Sequence, residues 1–277
     1  MTRKQGCCLL SSFHRLLFSA SCLLPIFFLL SCQCGRTDLE ARLNLSLPPL
    51  PDGEINHYRV RALDDSIGTY TTTIKYDWLQ PAKPDEEPLP VYMVVLVTRT
   101  RTGNVPVTDS SFLHVRRDNL TPRSSFRFIW TGPALATTAA NYGTQSVAVS
   151  SFAAGEERRQ LFPITAKTYD IDGLVLLGRA LKLEPKKPAR LTVINPMGPP
   201  FGGAMYEAEF RLAGDEQISV PAGVFDCCKL ELSMGEEQID LWYEKAGTRR
   251  LVRFVAKGSG ITIELLPPSG QMIQSVP

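Results

Sequence analysis

Tyr70-Thr71-Thr72-Thr73-Ile74-Lys75-Tyr76-Asp77-Trp78 decides the fold. Its residues Tyr70, Ile74, Tyr76 and Trp78 alternate with Thr71, Thr73, Lys75 and Asp77. A period of two puts one set on each side of an extended backbone, so the stretch predicts a strand with one dry and one wet face.

The same habit recurs on either side. Tyr58, Val60 and Ala62 alternate with His57, Arg59 and Arg61; Phe126, Phe128 and Trp130 alternate with their neighbours, as do Val147 and Val149. Tyr206 to Leu212, Leu230 to Leu232, Ile239 to Tyr243, Leu251 to Val255 and Ile261 to Leu265 continue it. Val91 to Val97 is apolar throughout, which suits a strand covered on both sides. Turn signals at Thr102-Gly103-Asn104, Gly132-Pro133, Ala213-Gly214-Asp215, Ala222-Gly223, Ala246-Gly247 and Gly258-Ser259-Gly260 separate the segments. About ten strands at this spacing predict an all-β, mainly antiparallel fold: a curved sheet, half-barrel or sandwich.

One stretch departs from that period. Asp170 and Asp172 stand at its start, Arg179 near its end and Pro185 beyond, which is the polarity of a short helix. Leu174, Val175, Leu176, Leu177, Ala180 and Leu181 leave it no polar stripe. A helix over Ile171 to Leu181 is therefore expected to pack onto the sheet as a lid or plug. Pro185 to Pro200, with Asn195-Pro196-Met197-Gly198-Pro199-Pro200, reads as a long loop.

Three stretches resemble a known family, the bacterial domain of unknown function 3108 of exported proteins and lipoproteins. They are Tyr58-Arg59-Val60 through Ser66-Ile67-Gly68-Thr69-Tyr70; Tyr169-Asp170-Ile171-Asp172-Gly173-Leu174 through Arg179; and Val220-Pro221-Ala222-Gly223-Val224-Phe225-Asp226-Cys227-Cys228-Lys229-Leu230 with Leu241-Trp242-Tyr243 and Leu251-Val252-Arg253-Phe254. The resemblance implies a curved antiparallel sheet, loosely like the half-barrels of lipoprotein-localisation carriers. It implies no catalytic residue, since the shared motifs are turn and core motifs. The proline-rich run at 79–90 is not part of the likeness.

The N-terminus carries Arg3, Lys4 and Arg15 ahead of an apolar run from Leu16 to Leu30. That run is too short, and too interrupted by Pro25, for a permanent membrane helix of about 20 residues. It ends in Leu29-Leu30-Ser31-Cys32, which resembles a lipobox, with an aliphatic residue, a small residue and then the cysteine that takes lipid. Cys22 after Ser19-Ala20-Ser21 fits less well. We therefore expect residues 1–31 to be a lipoprotein signal peptide, 32–53 a proline-containing tether, 54–266 a single β-rich domain and 267–277 a C-terminal tail. Gln33 after the anchor points to the outer membrane, facing the periplasm.

Loss of Arg3, Lys4 and Arg15 would leave 27 basic against 28 acidic residues, which offers nothing to nucleic acid. Cys34, Cys227 and Cys228 would remain beside Cys32, an odd number that suggests no disulfide scaffold. His57 and His114 sit among strand polar residues and read as surface histidines. Glu207 and Glu209 share a strand face, as solvated carboxylates commonly do. No nucleophile elbow, metalloprotease helix, phosphate loop or dinucleotide fingerprint occurs. Neither catalytic residue, cofactor nor metal is expected.

The expectation is an envelope lipoprotein whose domain binds a lipid, another hydrophobic ligand or an envelope protein. Tyr70, Tyr76, Trp78, Phe126, Phe128, Trp130, Leu174 and Leu177 are its candidate groove residues. An envelope enzyme acting on peptidoglycan or glycan and a purely structural protein are the alternatives.

Overall fold

The computed structural model describes residues 43–81, 85, 87–198 and 202–268. The expected signal peptide, Cys32, Cys34 and most of the expected tail lie outside them. One meander runs through β1 (Glu54–Ala62), β2 (Asp65–Leu79), β3 (Leu89–Thr102), β4 (Val105–Arg116), β5 (Pro122–Trp130), β6 (Leu135–Tyr142), β7 (Ser146–Ala153) and β8 (Glu156–Pro163). After β9 (Thr168–Asp170) come a 3-10 turn, Ile171–Gly173, and a helix, α1 (Leu174–Ala180). A second meander follows through β10 (Ala189–Asn195), β11 (Ala204–Val220), β12 (Gly223–Met234), β13 (Glu237–Glu244), β14 (Leu251–Ala256) and β15 (Ile261–Leu265).

The fifteen strands among the described residues form one sheet, in the order β8-β7-β6-β5-β4-β3-β2-β1-β15-β14-β13-β12-β11-β10-β9. First and last strands meet at its centre, with Tyr58 opposite Leu265 and Ala62 opposite Ile261. Every pairing is antiparallel except β9 with β10, which are joined through the helix as parallel strands require. The edge strands β8 and β9 are separated only by residues 164–167, so the sheet must curl until its edges are neighbours. No ladder joins them, and the curl stays unclosed. Side chains fill part of the seam: Ile194 is buried with Ala140, Tyr142, Val147 and Val149, against which Phe162 and Ile164 pack.

The core lies on the inner face of the curl, around α1. Seven residues are too few for a helix to persist alone, so packing holds it. Leu174, Leu176, Leu177, Ala180 and the following Leu181 are all buried, in one cluster with Tyr58, Phe210, Leu230 and Tyr243. The Tyr243 hydroxyl donates to the Val175 carbonyl oxygen at 3.0 Å. Arg179, also buried, reaches both carboxylate oxygens of Glu54 at 2.8 and 3.0 Å and donates to the Thr248 carbonyl oxygen. The segment is a plug inside the curl, covered by the protein's own strands.

Several expectations need correction. Fifteen strands replace about ten; the expected loop at Pro185 to Pro200 contains β10, where Leu191 and Val193 alternate with Arg190 and Thr192. Val91 to Val97 is covered on both sides only at its start, where Val91 and Tyr92 are both buried; beyond it Val94 and Leu96 are buried, while Met93, Val95 and Val97 are half-exposed on the outer face. The described end of the expected tether does not hang free. Leu43, Leu45 and Leu47 pack against the core and Leu50 is buried. Ser46 N–H donates to the Ala180 carbonyl oxygen at 2.7 Å, satisfying a group that the end of α1 leaves open. The proline-based reading passed over this Leu-x-Leu-x-Leu alternation.

Candidate functional site

β4 and β5 carry charge into the curl. Asp109 and Ser111 on β4, with Arg127 on β5, fall on the inner phase of the pleat, and the turn after β9 brings Asp172 to them. Arg127 donates to both oxygens of Asp109, at 2.9 and 2.5 Å, and to Asp172 at 3.4 Å. The second Asp172 oxygen accepts from Ser111 at 2.6 Å. Asp170, 1% exposed, accepts from the Tyr142 hydroxyl at 2.7 Å and from the Asp172 N–H at 3.0 Å, which caps the 3-10 turn. Asp109 and Asp172 thus share the Arg127 guanidinium, and a third carboxylate, Asp170, is buried beside them.

That imbalance sets the protonation chemistry. Burial, with the Asp172 charge beside it, pushes the Asp170 carboxyl up to about 6. Burial also raises Asp172, opposed by Arg127 and by the Ser111 hydroxyl. For Arg127, burial works against the charge, yet Asp109 and Asp172 outweigh it and hold its pKa above the ordinary value. Tyr142 is raised by burial and by the Asp170 charge, so it remains a donor.

The cluster borders a cavity of about 270 Å³. Its apolar walls are Tyr70, Leu96, Ile171, Val175, Leu251, Phe254 and Ile263; Asp109, Ser111, Arg127 and Asp172 form its polar side. A second, more open cleft of about 1150 Å³ carries six carboxylates: Asp52, Glu54, Asp215, Glu216, Asp226 and Glu244. Each already has a donor: the Tyr76 N–H, Arg179, Lys245, the Trp242 indole, Gln217 and Arg250 respectively.

The family model described as Protein of unknown function (DUF3108) matches residues 57–265, a span that runs from within β1 through the buried Asp170 turn to the end of β15. The chain belongs to the DUF3108 family. A solved structure described as a beta-barrel-like protein of domain of unknown function DUF1849 from Brucella abortus is similar at 7% identity and a TM-score of 0.46, covering 77% of this chain and 95% of that one. A search of the curated proteins finds no match.

In this DUF3108 chain the eight candidate groove residues do not converge. Tyr70 lines the inner cavity, and Leu174 and Leu177 are buried in the plug beside it. Tyr76 and Trp78 share the phase of Tyr70, but the strand runs past the core and they are 42% and 55% exposed. Phe126, Phe128 and Trp130 lie on the outer face, because Arg127 between them points inward. His57 is half-exposed beside Thr71 at 3.3 Å, and His114 lies between Ser124 and Asp77. Glu209 is paired with Arg190 and Arg211 and Glu207 accepts from Thr192, so the two form no facing pair. The acid and arginine cluster was missed. Its signal was present in Asp109, Arg127, Asp170 and Asp172, but only pairing across β4, β5 and the turn brings them together.

Proposed function

We propose that this chain is an envelope lipoprotein, anchored through Cys32 at the outer membrane and facing the periplasm, whose non-catalytic domain binds a hydrophobic ligand. The observation that carries the reading is the inner cavity, apolar on most sides and polar where Asp109, Arg127 and Asp172 meet it. Such a combination, apolar walls with a few fixed polar groups, is the usual make-up of a small-molecule site. At about 270 Å³ the cavity suits a short amphiphile or a segment of an acyl chain.

The carboxylates of the open cleft support binding over hydrolysis. General acid catalysis needs a carboxyl free to exchange a proton with substrate, and all six there are held by donors.

Titration of the purified protein with a fluorescent fatty acid tests the ligand. Saturable binding is expected, and Val175→Phe, which fills the cavity, should abolish it while leaving the chain folded. Non-saturable partition, or binding indifferent to Val175→Phe, removes the proposal. The anchor is tested separately: Cys32→Ala should lose metabolic acyl labelling and membrane fractionation, and unchanged labelling would show that another residue carries the lipid.

A further inference from the structure

The outer face of β3 to β8 has no function in the reading above. Phe112, Phe126, Trp130, Leu135, Phe152 and Leu161 are all at least 36% exposed. The ladders place all of them but Leu161 in adjacent rows. One row runs Val95, Phe112, Phe126 and Ala139 across four strands; the next runs Val97, Ser110, Phe128, Thr137 and Phe152; Trp130 and Leu135 form a third with Thr108 and Arg99. An antiparallel sheet with one face on its core ordinarily presents polar residues on the other. This one presents aromatic rings.

The charges around the patch are unequal. Lys75, Arg99 and Arg101 are exposed on the same phase. Its acids are already engaged, Asp77 with His114 at 3.3 Å and Glu157 with Arg159 at 2.8 Å. The face is apolar at its centre and basic toward one side.

We propose that this face docks on an anionic lipid bilayer, independently of any lipid on Cys32. Trp130 and Arg99 stand in one row, as an interfacial indole and a headgroup-binding guanidinium do. Five strands, β3 to β7, about 4.8 Å apart and three rows about 7 Å apart give a patch of roughly 500 Å². Two copies joined through it would bury only about 1,000 Å², below the ~1,200 Å² at which stable protein interfaces begin. A bilayer needs no such minimum and complements both the apolar centre and the basic side.

The test reads Trp130 itself, because an anchored chain reaches vesicles whichever face it presents. The full chain carrying Trp78→Phe keeps Trp130 as its exposed indole, Trp242 being buried. On vesicles of equal parts phosphatidylglycerol and dibrominated phosphatidylcholine, emission from Trp130 should fall by about half, since interfacial side chains sit ~5–10 Å into the headgroup boundary, within reach of the bromines. Phe126→Glu, a change at an exposed position, should abolish the quenching with the thermal midpoint unchanged. Arg99→Gln and Arg101→Gln should each weaken the docking read by that quenching about fivefold at low salt. Vesicle-bound protein with unquenched Trp130 overturns the proposal, as does quenching indifferent to Phe126→Glu. A dimer in sedimentation that Phe126→Glu dissociates, without quenching, would assign the face to a second copy instead.

Discussion

The Tyr243 ring occupies the space that a side chain on Gly178 would need: a Cβ there would stand 2.7 Å from the ring Cζ. Just ahead of the helix the packing is close as well, since a Cβ at Gly173 would stand 3.1 Å from Leu113. In a free helix Gly178→Ala would stabilise by about 1 kcal/mol. Here we expect the opposite sign, a loss of about 1–3 kcal/mol from overpacking, measured as a lower urea midpoint at unchanged slope. Combined with Tyr243→Leu the two losses should fall short of additivity.

Arg179 and Glu54 tie the end of the plug to β1, both side chains being under 10% exposed. Removing one partner leaves a buried charge without compensation, so Arg179→Met should cost about 3–5 kcal/mol. The double variant Arg179→Met with Glu54→Leu should recover much of that loss, because neither charge then remains buried. Chemical denaturation of the three variants checks this, and equal losses in the single and double variants would refute it.

Asp170 makes stability fall as pH rises. Its carboxyl titrates at about 6 in the folded chain against an ordinary 3.8, so between those values the folded state holds more protons than the unfolded one. Under linkage, stability then decreases with rising pH across that window, and the protonated form is the favoured one below it. Asp172 is raised as well and adds the same sign. Glu209 and Asp240 are lowered and act oppositely at more acid pH. Asp170→Asn should flatten the fall between about pH 4 and 6, seen as melting temperatures that converge with the parent at the acid end.

β15 sits in the middle of the sheet although it is last in the chain, between β14 and β1. Ending the chain at Gly260 would unpair both neighbours and uncover the inner face where Leu265 is buried. Loss of cooperative unfolding is expected, not a modest shift, and a protease-resistant product would contradict it.

Period-two alternation made the strand class legible, because burial of one sheet face imposes it on each strand locally. The plug was equally legible: Asp170, the unbroken apolar run and Arg179 specify a short helix with no wet side. β8 was harder to read, since Glu156, Glu157, Arg158 and Arg159 on an exposed edge strand carry no alternation. Phe126 and Trp130 misled for a related reason. Alternation says that two faces differ, and here the face with the rings is the outer one.

By itself the sequence determined the strand class, the short helix and the family, all properties carried by neighbouring residues. Tertiary structure alone decided which way each strand faces, that Asp109, Arg127, Asp170 and Asp172 share one buried site, and that β1 closes on β15. The physical reason is range. Pleat and turn preferences act over a few residues, whereas the facing of a strand and the company of a buried charge depend on partners up to about two hundred positions away, as Tyr58 and Leu265 are.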